Sequence, residues 1–341
     1  MMRKNISFLV ILMSVLFIAV TVMAQSVQDQ YNAKERELKE LYSQMTKAGI
    51  TKAEYDELLP KYTELSKEVK ALKAKLEQDA AAMDKLNTAK KGYNEGNTLY
   101  KKGQYDAAIE NYNQAIKLDP NFEKAYYGIG LSYVKLGDYD KAVEAFQSAV
   151  DIDPNYDKAW SAMGSAYNKG RKDELAINAY KKAIEIEPQD YTTMYNLALV
   201  YKAQRSYDDA INYLRMATQA KPDYDKAFTQ MGEIYIEMGK LDDAVMALQN
   251  ALAIDEKDPR TLVQLANAYN KQGNYNDALK TAQACLQRPA QHRGAANYEA
   301  GVASKALGNL DQAKQFFTAA AKDARWRKSA DYELDLLAKG L

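Results

Sequence analysis

The sequence predicts an all-α chain: an α-superhelix of stacked helix pairs, preceded by a helical hairpin or coiled coil. Three observations lead there. Prolines recur at Pro120, Pro154, Pro188 and Pro222, each 34 residues after the last. Apolar and small residues return with helical spacing inside that period. Only 7 prolines and 16 glycines occur in 341 residues, with Ala, Lys, Glu and Leu abundant, so little in the composition interrupts helices.

Taken in chain order, the first element is residues 1–24. Arg3 and Lys4 precede an apolar run from Ile6 to Ala24, and the short side chains of Val22 and Ala24 suit a signal peptidase. This predicts a signal peptide cleaved after Ala24 and export to the periplasm. The alternative is an uncleaved anchor, because about 19 apolar residues just span a bilayer; the protein would then be envelope-associated, with the membrane touched only through this segment. No cysteine follows the run, so a lipoprotein anchor is not expected.

Residues 25–88 lack the 34-residue period. From Tyr55 a heptad places Tyr55, Tyr62, Val69, Leu76 and Met83 at one seam position and Leu58, Leu65, Leu72 and Leu86 at the other, with Asp79 the one break. Thr51 and Glu54 form a capping-box pattern at its start. Pro60 is expected to kink this helix or to mark a restart. Tyr31, Leu38, Leu41 and Met45 form a shorter amphipathic piece, and Ala48, Gly49 and Ile50 read as the turn between the two. Two arrangements satisfy this pattern: an antiparallel hairpin within one chain, or a homo-oligomer held by a coiled coil through 51–88, which would display several copies together.

Rows of 34 residues begin at Ala89, Glu123, Asp157, Tyr191, Asp225 and Pro259, and a seventh begins at Gly294 after one extra residue. The repeats are therefore 89–122, 123–156, 157–190, 191–224, 225–258, 259–292 and 294–327. Column 20 is Ala in all seven, and column 8 is Gly or Ala, as needed where two helices approach closely. Each row holds two apolar stripes, at columns 4, 7, 8 and 11 and at columns 20, 24, 27 and 28. Gly-Asp-Tyr or Gly-Asn-Tyr breaks the pair between them, and Asp-Pro ends the second helix. The third row has Lys-Gly-Arg-Lys-Asp at that break, which predicts an altered turn. The fifth and sixth rows have Glu256 and Ala290 in the proline column, which predicts a less regular C-terminal half. Twelve of the 26 tyrosines fall at columns 11 and 17 and at row boundaries, where a ring can fill space between helices. Residues 328–341, amphipathic from Lys328 to Lys339, read as a helix capping the last apolar face.

This pattern resembles the tetratricopeptide repeat (TPR) family over Ala89 to Arg327. The resemblance implies a right-handed TPR solenoid whose first helices line a concave groove, with columns 2, 5, 9, 12 and 13 pointing into it. Those columns hold Lys90, Tyr93, Asn97, Tyr100 and Lys101 in the first row, and Lys124, Tyr127, Leu131, Val134 and Lys135 in the second. Lys158, Asn168 and Lys169 follow in the third, and Tyr195, Lys202, Lys226, Arg260, Asn267, Asn270, Lys271, Tyr298 and Lys305 in later rows. Glu233 and Glu237 are the acidic members of this set. The implied inner face is positive, although Lys plus Arg and Asp plus Glu both number 46. The expected partners are other proteins, through extended or acidic peptide segments, and not nucleic acid. An exported coiled coil followed by TPRs is also similar in architecture to the periplasmic coordinator family of the Tol-Pal envelope system, whose array is shorter.

Enzymatic chemistry is not expected. The chain has one histidine, His292, and one cysteine, Cys285, and no HExxH, CxxC or glycine-rich phosphate loop. No catalytic residues, metal site or cofactor are assigned. Cys285 occupies column 27, which is Ala in the other rows, so it reads as a small core filler. His292 falls at the loop where the 34-residue count slips by one.

Overall fold

The computed structural model describes residues 25–287 and 292–340. The expected signal segment lies outside them, as do Pro289 and Ala290. Among the described residues there are sixteen helices and no strand, and no helix is long and apolar enough to cross a membrane. The chain divides into two compact units that part between Ala125 and Tyr126.

In the first unit, α1 spans residues 25–45, α2 spans Lys52–Lys101 and α3 spans Tyr105–Leu118. The capping box at the start of α2 is formed: Glu54 N–H donates to Thr51 Oγ1 at 3.3 Å, and Thr51 N–H donates to Glu54 Oε2 at 2.9 Å. Lys34 pairs with Glu68, and the Tyr42 and Tyr62 rings lie 6.1 Å apart. As the α1 residue number rises the α2 partner's falls, so the two helices are antiparallel. The heptad stripe, with Leu65 and Val69 buried, thus faces α1 of the same chain over this stretch. Tyr55, expected at the seam, is 40% exposed, because it lies opposite the turn where α1 has already ended. The helix runs through Pro60 without a restart. It also runs through residue 88, so the segment before the repeats and the first helix of repeat one are a single helix of 50 residues. No turn signal intervenes, and Gly96 inside it admits the Tyr112 ring of α3, against which a Cβ would stand at 2.6 Å.

Next comes α4, Glu123–Leu136, within which the unit boundary falls. The second unit continues with α5 (Tyr139–Ile152), α6 (Asp157–Lys169), α7 (Asp173–Ile186), α8 (Tyr191–Ala203) and α9 (Tyr207–Ala220). Then follow α10 (Asp225–Glu237), α11 (Leu241–Ile254), α12 (Pro259–Gln272), α13 (Tyr275–Leu286), α14 (Arg293–Ala306), α15 (Leu310–Ala320) and α16 (Arg327–Ala338). Helix pairs pack through the small columns. Ala142, Ala176, Ala210, Ala244, Ala278 and Ala313 are fully buried, and each marks a close approach of two backbones. Where column 24 is an aromatic ring, as at Tyr112, Phe146, Tyr180 and Phe317, column 8 is Gly. A Cβ on Gly130 would lie 2.4 Å from the Phe146 ring, whereas opposite Ala198 and Ala266 the column 24 residue shrinks to Leu214 and Ala282.

The inter-helix turn is the same in every repeat, which corrects the expectation for the third. Column 15 is left-handed throughout: Gly137, Gly239, Gly273 and Gly308 have φ of 72–83°. The next residue's N–H returns to the carbonyl of column 11, as from Asp138 to Tyr133 at 3.0 Å. In the third repeat the glycine comes one position early, so Arg171 takes φ 59° and Lys172 N–H still reaches Tyr167 O at 2.9 Å. Arg205 does the same in the fourth, with φ 61°. An L side chain there costs about 1 kcal/mol.

Nor does losing the proline disturb the fifth repeat. Asp258 caps α12 by accepting the Thr261 N–H at 2.8 Å, and Pro259 occupies the first turn, where its missing N–H costs nothing. Departures come only later: α13 has 12 residues, α15 has 11, and α14 begins at Arg293 after His292. Cys285 is buried with Leu262, Val263, Ala295 and Ala296. At the end, α16 lays Ala330 over Ala313, Phe317 and Ala320, with Leu334 and Leu337 beside them.

Candidate peptide-binding groove

Successive first helices meet at joints, and two side-chain chemistries fill them. In the first chemistry, a tyrosine at column 5 packs on an aromatic ring at column 34. Tyr93 meets Phe122 at 4.9 Å, Tyr127 meets Tyr156 at 5.2 Å and Tyr195 meets Tyr224 at 5.3 Å. Column 3 of the next repeat is then Ala, whose N–H takes the column 34 carbonyl: Ala159 to Tyr156 and Ala227 to Tyr224, both at 3.0 Å. In the second, column 5 is a hydroxyl residue, column 34 is Asp and column 3 of the next repeat is Thr. Ser161 Oγ and Thr193 Oγ1 stand 2.6 Å apart, and Thr193 donates to Asp190. Thr229 and Thr261 stand 2.7 Å apart, and Thr261 donates to Asp258. The Asp also caps the next helix, Asp190 accepting from the Thr192 and Thr193 N–H groups at 3.0 and 3.2 Å. Orphan N–H groups at a helix start must find acceptors, and the two joints satisfy them differently.

Column 5 is therefore only partly available to a ligand. Burial pushes the Tyr195 hydroxyl upward and the Tyr224 hydroxyl up to about 12. In repeat one, Asn97 Oδ1 accepts from Tyr112 at 2.8 Å, and Tyr100 packs edge-on against Tyr105 at 5.5 Å. Lys90 and Lys101 are exposed, and Lys124 lies 4.0 Å from Glu123.

Toward the C-terminal end three of the cations are paired. Lys202 bonds Glu233 at 2.7 Å and Gln230 at 3.0 Å, and Arg260 grips the same Glu233 through Nε and Nη2 at 2.8 and 2.7 Å. Lys305 pairs with Glu333 at 3.1 Å. Asn267 and Asn270, expected to bond a ligand backbone, donate instead to Glu299 at 2.9 and 2.8 Å. Glu299 is 3% exposed. Burial raises its carboxyl above the ordinary range, opposed by the two Asn hydrogen bonds and by the charge of Lys271. Sequence reasoning missed these partners, although Gln230, Glu299 and Glu333 all stand at column 6 when the row length is carried into α16. Lys226 and Lys271 are exposed.

The positive face expected from the sequence is thus partly neutralised by Glu233 and Glu333. Within the second unit Lys135, Lys158 and Lys169 are exposed, as is Asn168. Lys158 borders a cavity of about 280 Å3, lined on one side by Tyr127, Leu131 and Val134 and on the other by Lys158, Ser161, Asn196 and the Asp190 carboxylate. An apolar wall opposite hydrogen-bonding groups is the arrangement that takes up one side chain of an extended chain. Among the described residues no His, Cys, Asp and Glu cluster is placed to hold a metal ion.

Comparisons with known proteins agree with this architecture. Family models described as TPR repeat match residues 96–137 and 232–273, and models described as tetratricopeptide repeat match 123–156 and 260–288. A model described as anaphase-promoting complex, cyclosome, subunit 3 matches 171–251. Among solved structures, the C-terminal part of a TPR repeat-containing protein from Cytophaga hutchinsonii is similar with a TM-score of 0.60 and 17% identity, covering 71% of this chain and 99% of that one. Pseudomonas aeruginosa PilF is similar with a TM-score of 0.52 and 19% identity, covering 62% and 97%. MamA is 30% identical with a TM-score of 0.45, covering 48% and 95%. Comparison with curated protein sequences finds no match. The chain is an all-α TPR solenoid and belongs to the tetratricopeptide repeat family.

Proposed function

We propose that the protein is a non-enzymatic scaffold of the periplasm or cell envelope that holds other proteins by extended segments laid along its first-helix face. The observation that carries this reading is the cavity of about 280 Å3 between Tyr127, Leu131 and Val134 on one side and Lys158 on the other, with Lys135 and Lys169 exposed nearby. An apolar wall beside exposed lysines favours a segment that alternates apolar and acidic residues. The export that places it there rests on the sequence of residues 1–24. Charge reversal tests the reading: the Lys135→Glu, Lys158→Glu, Lys169→Glu protein should retain at least tenfold less of its partners in affinity capture from the exported fraction at low salt. Retention equal to the unaltered protein would refute it.

A second reading is an oligomeric coordinator of the envelope acting through the N-terminal hairpin. Tyr42 at 57%, Tyr55 at 40% and Leu59 at 41% exposure favour it, since exposed apolar side chains clustered on a two-helix hairpin suit a second copy. Sedimentation equilibrium of the unaltered protein and of Leu59→Glu decides it. An oligomer that dissociates in the variant supports it, and a monomer in both excludes it.

A further inference from the structure

The hairpin of α1 and α2 has an unfinished core. Its buried side chains between residues 25 and 88 are Val27, Met45, Leu65 and Val69, each still 7–9% exposed, whereas Phe146, Leu214 and Phe317 in the repeats are 0% exposed. Two packed helices leave a furrow on either side of their seam, and in bundles a further helix fills it. On one side Leu41 of α1, with Leu58 and Leu65 of α2, forms the floor of a cavity of about 360 Å3. A second cavity of about 410 Å3, floored by Ile50 and Leu58, continues it to the turn, and the two share Gln44 and Leu58. Residues 54, 57, 58, 61 and 65 line this furrow along α2, a single helical stripe of three turns and about 16 Å. Tyr55, Leu59 and Tyr62 follow a different stripe, on the side where Tyr62 meets Tyr42.

The rim of the furrow is acidic. Glu54 and Glu57 stand on α2 next to the turn and Glu37 and Glu40 on α1 further from it, against Lys47 and Lys61. Lys61 already pairs with Glu57 at 3.2 Å, and Glu54 caps its own helix. Glu37 and Glu40 are exposed and enter no ion pair among the described residues; Lys34, whose charge reaches Glu37, is held on Glu68. A second copy docked furrow to furrow would set glutamates against glutamates, and an anionic lipid surface would be repelled likewise. We propose that this furrow is the docking site for an amphipathic helix of a partner protein, about three turns long, whose apolar stripe is flanked by Lys or Arg. The stripe buries the half-buried Leu41, Ile50 and Leu58 and supplies the affinity, since exposed ion pairs contribute little. The flanking cations, set against Glu37 and Glu40, supply the selection. The site is separate from the first-helix groove and does not depend on that reading.

Three fluorescein-labelled peptides, titrated into the protein and followed by anisotropy, test it. One is two copies of the heptad Leu-Ala-Ala-Leu-Lys-Ala-Lys, the second has Glu in place of each Lys, and the third has the residues of the first in an order that spreads the leucines round the helix. The lysine peptide should bind saturably, and the other two at least about tenfold more weakly. Glu37→Lys with Glu40→Lys, two exposed changes, should weaken the lysine peptide by at least about tenfold and strengthen the glutamate peptide. Leu58→Glu should abolish binding of both, whereas Leu59→Glu, on the other stripe, should leave the lysine peptide unaffected; the exposed double reversal serves if the Leu58 variant does not fold. No saturable binding of the lysine peptide, equal binding of either other peptide, or binding unchanged by the double reversal would overturn the proposal. So would self-association in sedimentation equilibrium that the double reversal abolishes, because the furrow would then belong to a second copy.

Discussion

The joint between repeats two and three and the joint between repeats three and four have the same backbone phase and share almost no chemistry. The former is Tyr127 against Tyr156, with Ala159 beneath; the latter is Ser161, Thr193 and Asp190 in a hydrogen-bonded line. Columns 5, 34 and 3 change together between the two, and the same switch recurs at Tyr195, Tyr224 and Ala227 against Thr229, Asp258 and Thr261. A stacked array can therefore hold its 34-residue spacing either by apolar area and ring contact or by a buried, fully paired polar line. The second also supplies the helix cap that the first obtains from a backbone carbonyl.

The largest expected loss lies on the aromatic side. Tyr195→Ala removes a half-buried ring packed against Tyr224 and should cost about 2–4 kcal/mol in denaturant unfolding. Loss at the polar joint should be smaller: Asp190→Ala removes an N-cap and the acceptor of the buried Thr193 hydroxyl, for about 1–3 kcal/mol. If the order of these two were reversed, the polar line would be the stronger joint.

Glu299 extends the comparison to a buried polar group that is not balanced. Its carboxyl is raised above the ordinary value of about 4.5 by burial, so the folded state holds the proton more tightly than the unfolded state does. Its stabilising contribution is present at or below the ordinary value and is lost as pH rises through the raised folded value. Glu299→Gln lacks that loss and can still accept from Asn267 or Asn270. The stability of the variant relative to the unaltered protein should therefore increase from about pH 4.5 to neutral pH, as read by melting temperature across that range; a difference independent of pH would show that the carboxyl is not perturbed. The smallest effect is at the turns. Arg171→Gly and Arg205→Gly relieve left-handed backbone at φ 59° and 61° and should each stabilise by about 0.5–1 kcal/mol.

The fold was legible in the sequence because a buried helix pair repeats its small columns. Ala at column 20, Gly or Ala at column 8 and the proline column were sufficient to assign the array. The segment before it was legible only as a choice, since one heptad serves a hairpin and an oligomer equally; the pairing of Lys34 with Glu68 shows the hairpin. The groove was read least well. Lys202, Arg260, Asn267 and Asn270 do stand at first-helix columns, but the partners of Lys202, Asn267 and Asn270 lie one repeat further on at columns 6 and 9, as Gln230, Glu233 and Glu299, and Arg260 reaches one repeat back to Glu233. A column assignment within one row does not show which residues of the next row reach back. Arg171 shows the same limit for the backbone, because a glycine displaced by one position suggested a changed turn where the hydrogen-bond pattern was kept.

The central claim is that the two joints are interchangeable units of three residues. It is tested by converting one into the other: Ser161→Tyr, Asp190→Tyr and Thr193→Ala, singly and together, with unfolding free energies measured for each. The single changes should each cost about 1–3 kcal/mol, whereas the triple variant should return to within about 1 kcal/mol of the unaltered protein, a coupling expected only of residues that act as one contact. A triple variant destabilised by the sum of its singles would contradict the account.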